Sequence, residues 1–440
     1  MTGTVATHSA PAAAYHAVTA VWGAEFIDLF LNVCVPNQLS SGNLSALPAG
    51  SRYRVLTGSA DIATLAASPV LGRVRRLLPV DVVEVDLTEL DRQANPNVYK
   101  MMTACHRRAA ADAARVEAAL IFLAPDFVLA EGTLAALVRR HASGARAILT
   151  ANLRLSRERF LAERTADRAT PRALVRLGLR HLHPSSESLM VDAATTNEFP
   201  TSVYWPVRSS CALDGVLVRA LNLHPLLLDP VLRTSLPGGT IDGHYVTQCC
   251  PDPDQCVVID DSDELIAFEL TPSARAVGNH DGRRGISMLR LAAVTAKCDA
   301  LQLSHWNRSI RLHAEDLDER WTMAEADAAL FTRRLERYRF LAPALSRMYR
   351  TLKTWRRRRA AQARAIRRAR KDSARLLRKA VRHVRQSRDR YGRALRDMQR
   401  NRLSSKRIAR SARVSWHHAA RAARLGLKRI RRRVRQLLPA

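Results

Sequence analysis

The chain has 440 residues and a formal net charge of +31, enough length for two or three domains of about 150 residues with a buried core. The charge is not spread evenly: residues 351–440 hold 33 Lys and Arg against three Asp, which leaves 38 basic and 37 acidic side chains in the first 350. This excludes a basic body and confines polyanion attraction to the last ninety residues; no apolar run of about 18 residues predicts a transmembrane helix. After a leader over 1–15, which has no Lys or Arg and so lacks the charged region of a secretory signal, residues 16–22 (HAVTAVW) read as a buried strand and 25–33 as an amphipathic helix. Residues 52–57 (RYRVLT) form a second strand ending in Gly58-Ser59-Ala60-Asp61, a turn that can cap the next helix. A third strand is expected at 80–86, a helix at 97–117, and the most apolar strand at 118–124 (AALIFLA). A helix over 130–141 and a strand over 146–151 follow. Strand–helix alternation with near-continuous apolar strands predicts an α/β fold with a mainly parallel sheet and flanking helices.

From 152 to 206 the pattern loosens into Arg-rich helix and Ser/Thr-rich loop. Further strands are expected at 212–218, 256–260 and 265–270, a loop at 277–284, and helix from 286 to 313 with no strand beyond. The body domain thus spans 16–310, a helical connector 311–350, and the basic extension 351–440. In the extension, Leu377, Val381, Val384, Tyr391, Leu395 and Met398 follow three/four spacing, a heptad-like stripe on a basic helix. Residues 401–405 (NRLSS) interrupt it, and a second helix over 406–438 would complete an Arg-rich hairpin or pair of helices. Seven cysteines without paired spacing suit a reducing compartment. The chain is therefore expected to be cytoplasmic, with the tail available for the inner face of a membrane.

Residues 121–132 (IFLAPDFVLAEG) carry the most chemical information. An apolar strand ends in one carboxylate, Asp126, followed by a short apolar turn, a glycine and an amphipathic helix. Ligands of open α/β sheets bind beyond the carboxyl ends of strands, and a carboxylate there can hold a hard divalent cation that neutralises a diphosphate. The stretch resembles the metal-binding turn of GT-A-type nucleotide-sugar glycosyltransferases of the family-two kind. Several of those place a Pro-Asp turn, a hydrophobic residue, a glycine and a helix where others have Asp-x-Asp. Val21-Trp22-Gly23-Ala24-Glu25 looks like that family's opening strand and helix, and Gly58-Ser59-Ala60-Asp61 like its Gly-Ser-Thr-Asp turn. The similarity covers roughly 16–155 and weakens towards 270. It departs at Leu56 and Thr57, where the family has acidic residues for the nucleobase, and at Ala124, where a first Asp often stands.

The resemblance implies a GT-A-like domain with Mg²⁺ or Mn²⁺ at Asp126. It implies donor contacts from Glu25, Gly58, Ser59, Asp61 and Lys100, and a late histidine, His224, as a further metal ligand; a lone histidine in an apolar run is otherwise a core residue. In inverting members a carboxylate in the acceptor half acts as general base, and Asp242 in a Gly-flanked loop fits that role. Asp261 and Asp263, in the cluster 260–264 (DDSDE), can supply a base or hold a cation, or form a solvated turn between two strands. His244, Cys249, Cys250 and Cys256 lack the Cys-x-x-Cys pairs of a zinc site.

These residues lead to the expectation of a glycosyltransferase that moves a sugar from a nucleotide-sugar donor to a glycan or lipid-linked acceptor. A non-catalytic transferase-like scaffold in envelope polysaccharide assembly is the alternative on the same fold. A third reading is a nucleic-acid-associated protein acting through its tail. Anionic lipid attracts each surface Lys or Arg by about 1 kcal/mol. A protein partner or a second copy can also take the stripe, and nucleic acid can neutralise the charge. Aromatics are sparse in the tail (Trp355, Tyr391, Trp416), so base stacking is not expected. Lipid or protein docking ranks ahead of nucleic acid.

Overall fold

A computed structural model describes residues 14–86, 98–164, 169–210, 212–230, 241–242, 244–275, 280–281 and 284–401, with isolated positions beyond. Its fifteen strands are β1 Tyr15–Ala20, β2 Arg52–Thr57, β3 Val80–Glu84, β4 Ala119–Phe122, β5 Phe127–Leu129, β6 Ala147–Thr150, β7 Arg154–Ser156, β8 Thr196–Asn197, β9 Ser202–Arg208, β10 Leu213–Ala220, β11 His224–Leu228, β12 Cys256–Val258, β13 Ala267–Thr271, β14 His280–Asp281 and β15 Ile310–His313. Seven of them form one mixed, mainly parallel sheet in the order β12-β6-β11-β4-β1-β2-β3. Only β11 runs antiparallel to its neighbours β4 and β6. β1 and β4 are buried along their whole length, which is why β4 reads as an unbroken apolar run and β1, despite His16 and Thr19, does not alternate apolar with charged residues.

The chain lays down β1, β2 and β3 towards one edge, then returns through the helix Val98–Ala114 to place β4 on the other side of β1. Strand order therefore reverses between β1 and β4, the kind of switch point where open α/β sheets take their ligands, beyond the carboxyl ends of the strands. A three-stranded sheet roofs that end: β13 pairs with β5 through Glu269 and Phe127, and with β7 through Glu269 and Arg154. The expected short turn after Asp126 is thus strand β5, and the loosely patterned region 152–206 contains both β7 and β9.

The helix expected over 286–313 stops earlier. Met288–Thr295 and Ala300–His305 are helical, the second closed by a capping box between Asp299 and Gln302. Ile310–His313 is instead β15, antiparallel to β10 with Val216 opposite Leu312. Four residues are too few to show a period, so the pairing with β10 decides their state. β9, β10 and β15 make a separate antiparallel sheet. Val203, Trp205, Leu217 and Leu291 bury there against Trp321, Ala328 and Leu335 of the helix Glu319–Arg339. Gly215 lets that helix approach, because a Cβ at this position would lie 2.3 Å from Trp321 Cζ2 and 2.9 Å from the Leu312 carbonyl. Residues 311–339, which the sequence suggested as connector, thereby contribute a strand and a core-forming helix.

The chain divides into two compact units, Met1–Ser346 and Arg347–Ala440. The helix Ala342–Asn401 is 60 residues long. The expected break at 401–405 and second tail helix over 406–438 lie outside the described residues, apart from isolated positions. No helix of the described residues is long and apolar enough to cross a membrane.

Several buried histidines should make the body acid-sensitive. Burial lowers His305 from 6.5 to about 4, and neither of its ring nitrogens has a hydrogen-bond partner among the described residues. Burial likewise holds His16 at about 4 and His106, edge-on to Phe122, at about 3. The unfolded chain binds these protons first, so stability present above pH 6.5 is lost as pH falls through the window to about 4. His305→Leu should flatten that loss by at most about 1.4 kcal/mol per pH unit. Thermal melts at neutral pH and in the acid window check it; equal slopes for both proteins would refute the assignment.

Candidate functional site

Asp126 follows the end of β4 and is half-buried at the switch point beside β1. Its position is fixed by backbone. Its carbonyl accepts from Leu270 N at 2.8 Å, and Asn37 clamps the next strand by donating to the Leu129 carbonyl (2.9 Å) and accepting from Leu129 N (2.7 Å). Asn43 holds the following turn through the Ala130 carbonyl and Leu134 N. Gly42 (φ 69°) is then needed, because a Cβ there would lie 2.8 Å from Gly132 Cα.

The surroundings of this carboxyl are charged on both sides. Burial and the charge of Glu269 push it up to about 8, against the opposing pull of Arg154 and Arg275. Glu269 is itself raised by burial although Arg154 pairs with it. The same Arg154 Nη1 donates to Thr271 Oγ1 at 3.2 Å. Cys34, from the turn following the first helix, is buried, and its thiol is raised by burial and then by the Asp126 charge. Arg275 stands 5.9 Å over the Phe26 ring.

The donor-side residues expected from the sequence gather at the same edge. Glu25, exposed at the start of the helix Ala24–Leu29, pairs with Arg157 at 2.7 Å. Asp61 does not cap the helix that follows it; its Oδ2 accepts from Gly23 N at 2.9 Å and ties the loop after β2 to the loop after β1. Gly58 and exposed Ser59 open that loop as a turn of 3₁₀ helix, Ser59–Asp61. Lys100 is exposed in the first turn of the helix that descends from β3 to β4.

His224 begins β11, beside the end of β4. Its Nε2 donates to the Phe122 carbonyl at 3.1 Å and its ring meets Phe127 edge-on at 5.0 Å. Burial lowers its pKa, offset in part by that carbonyl and by the charge of Asp242. The exposed carboxylate of Asp242 therefore shares this end of the sheet with His224 and, through Phe127, with Asp126. With Nε2 engaged, a metal at His224 has only Nδ1 to use. Among the described residues neither Asp126 nor His224 belongs to a three-ligand group.

Asp261 and Asp263 form a different cluster, beyond the carboxyl end of β12. His313 Nε2 lies 2.9 Å from Asp261 and 3.8 Å from Asp263, and its Nδ1 donates to the Glu315 carbonyl at 2.7 Å. The ligand atoms of the three lie within 4.8 Å of one another, a set that can hold a divalent cation. Asp263 already receives a fork from Arg172, which is the first cause of its lowered pKa. A cation here would therefore compete with that guanidinium. The sequence pointed to both aspartates but not to His313, which lay in a stretch read as helix.

Among the described residues His244, Cys249, Cys250 and Cys256 do not bring three ligand atoms close enough for a shared metal. His244 pairs with Asp299 at 2.9 Å, and Cys249 Sγ donates to the Tyr245 carbonyl at 3.0 Å. Cys256 is pushed up to about 12 by burial, so it stays a thiol. Arg154, Arg157, Arg275 and Glu269 had no motif to mark them: Arg154 and Glu269 meet through strand pairing, Arg157 opens the helix Arg157–Glu163, and Arg275 lies in the turn after β13. Comparison with known protein families and with curated proteins finds no match for this chain.

Proposed function

We propose that the body transfers a sugar from a nucleotide-sugar donor to a hydroxyl of a glycan or lipid-linked acceptor. The observation that carries this reading is Asp126 at the point where strand order reverses, between the carboxyl ends of β1 and β4, where open α/β sheets take their ligands. Arg154 and Arg275 act electrostatically on that carboxylate, and guanidinium groups suit phosphate oxygens.

The donor set fits Mg²⁺ or Mn²⁺. Such an ion takes one or two carboxylates and completes its shell with water and phosphate oxygens. Burial and the Glu269 charge hold the Asp126 carboxyl up at about 8, so Asp126 would release its proton on binding the ion, with Glu269 beside it as a second oxygen donor. Bound there, it would neutralise charge on the departing diphosphate. The chain's own groups do the rest. Arg154 and Arg275 hold the diphosphate, and the groups around the switch point orient the sugar towards β11. Asp242 takes the proton of the acceptor hydroxyl as its oxygen bonds to the anomeric carbon and the bond to the diphosphate breaks.

This division of labour has a direct test. Asp242→Asn should leave donor affinity within about twofold while lowering transfer by roughly 10²–10⁴-fold, the range of a lost general base. Titration of the donor by calorimetry and a transfer assay read the two separately. Weakened donor binding with unaltered transfer would remove Asp242 from this role.

A further inference from the structure

We propose that the helix Ala342–Asn401 is a docking surface for an anionic lipid bilayer, lying in the plane of the headgroups. Met348, Leu352, Trp355, Ile366, Leu377, Val381 and Val384 are all exposed on it. They succeed one another at steps of 4, 3, 11, 11, 4 and 3 residues. At 100° per residue these steps keep all seven inside an arc about 80° wide along some 54 Å of helix.

The step pattern bears on what covers this face. A left-handed coiled coil needs an unbroken seven-residue repeat. The heptad-like spacing of 377–398 does not continue upstream: two eleven-residue steps through Ile366 carry the stripe from Trp355 to Leu377 along a nearly straight helix instead. A straight stripe matches a flat surface. Charge points the same way. Residues 347–401 hold 22 Lys and Arg against three Asp, so a second copy of the helix would meet like charge along its length. The exposed flanks include Arg358, Arg367, Arg378 and Arg385, while exposed Arg359 falls within the arc, in the gap between Trp355 and Ile366.

A basic polar face with a narrow Leu/Ile/Val/Trp face is the form of helix that lies in a membrane interface. Trp355, half exposed with the Arg359 guanidinium 4.8 Å from its ring centroid, has the amphipathic character of an interfacial anchor. A duplex would use the arginines but has no use for the apolar stripe.

Sedimentation of the full-length protein with phosphatidylcholine vesicles, with and without added phosphatidylglycerol, tests the proposal. Binding is expected only with the anionic lipid, weakening about tenfold as salt rises towards 1 M and the Debye length shrinks. Trp355 emission, taken as the difference from Trp355→Phe, should shift to the blue. Joint replacement of Leu377, Val381 and Val384 by Gln keeps helix and charge; it should lower vesicle binding about tenfold and leave duplex DNA binding unchanged. No binding to the anionic vesicles, an undiminished triple variant, or release from vesicles by an equal charge of duplex DNA would each overturn it.

Discussion

Asp126→Asn is expected to reduce sugar transfer by more than about a hundredfold, since even outer partners of a catalytic metal cost 10- to 100-fold when removed. The same change should leave the fold intact and the protein no less stable. The turn is held through backbone and through Asn37 and Asn43, none of which needs the carboxylate. The carboxyl is raised from 3.8 to about 8, mainly by burial. A carboxyl raised in the folded state favours folding only while protonated, so the contribution present below 3.8 is lost as pH rises through 8. A neutral Asn escapes that loss, and its advantage over Asp should grow with pH across this window. Activity lost while stability is kept or gained marks a group placed for function. Transfer rates and thermal melts of both proteins at several pH values decide it. An active but destabilised variant would mean that Asp126 is merely structural.

The largest expected effect on stability lies at the opposite edge of the sheet. Asp229, fully buried after β11, accepts from Arg146 Nη1 at 2.7 Å and from His141 Nε2 at 3.1 Å. His141 Nδ1 in turn accepts from the Tyr15 hydroxyl at 2.8 Å, and burial together with the Asp229 charge raises that phenol. Asp229→Ala strands a buried guanidinium and should cost about 3–5 kcal/mol. For a unit of 346 residues that corresponds to a Tm lower by roughly 4–7 °C. Replacing the pair together, Arg146→Met with Asp229→Leu, should recover much of the loss, because two apolar groups carry no desolvation penalty. If the single variant melts within a degree of the parent, the network contributes far less than its burial suggests.

What the sequence made legible follows from how local each signal is. β1 and β4 are short, mostly apolar runs, and β2 alternates arginine with Tyr53 and Val55 before its Gly-Ser turn, so their positions could be read directly. Asp126 at the end of β4 inherited its place from them. β11 begins His224-Pro225 and continues with leucines, a composition that does not separate strand from helix. Its state comes from pairing with Ile121 and Leu149 on either side. β15 and the ring of His313 were hidden for the same reason. Glu269 meets Arg154 and Asp126 only because β13 bridges β5 and β7, a register that no nearby residues encode. The tail stripe was legible in part: spacing showed an apolar face, while exposure of Met348 to Val384 showed its length and straightness.

The central claim is that the switch point between β1 and β4 takes a nucleotide sugar. Thermal shift of the full-length protein and of Asp126→Asn against a panel of nucleotide sugars, with and without Mg²⁺ or Mn²⁺, tests it most directly. One class of donor should raise the melting temperature of the parent, since a ligand at a hundred times its Kd adds about 2.7 kcal/mol. The metal should increase that shift, and the Asn variant should lose the increase. No shift with any donor, or equal shifts in both proteins, would contradict the assignment and leave the fold as a scaffold without transferase chemistry.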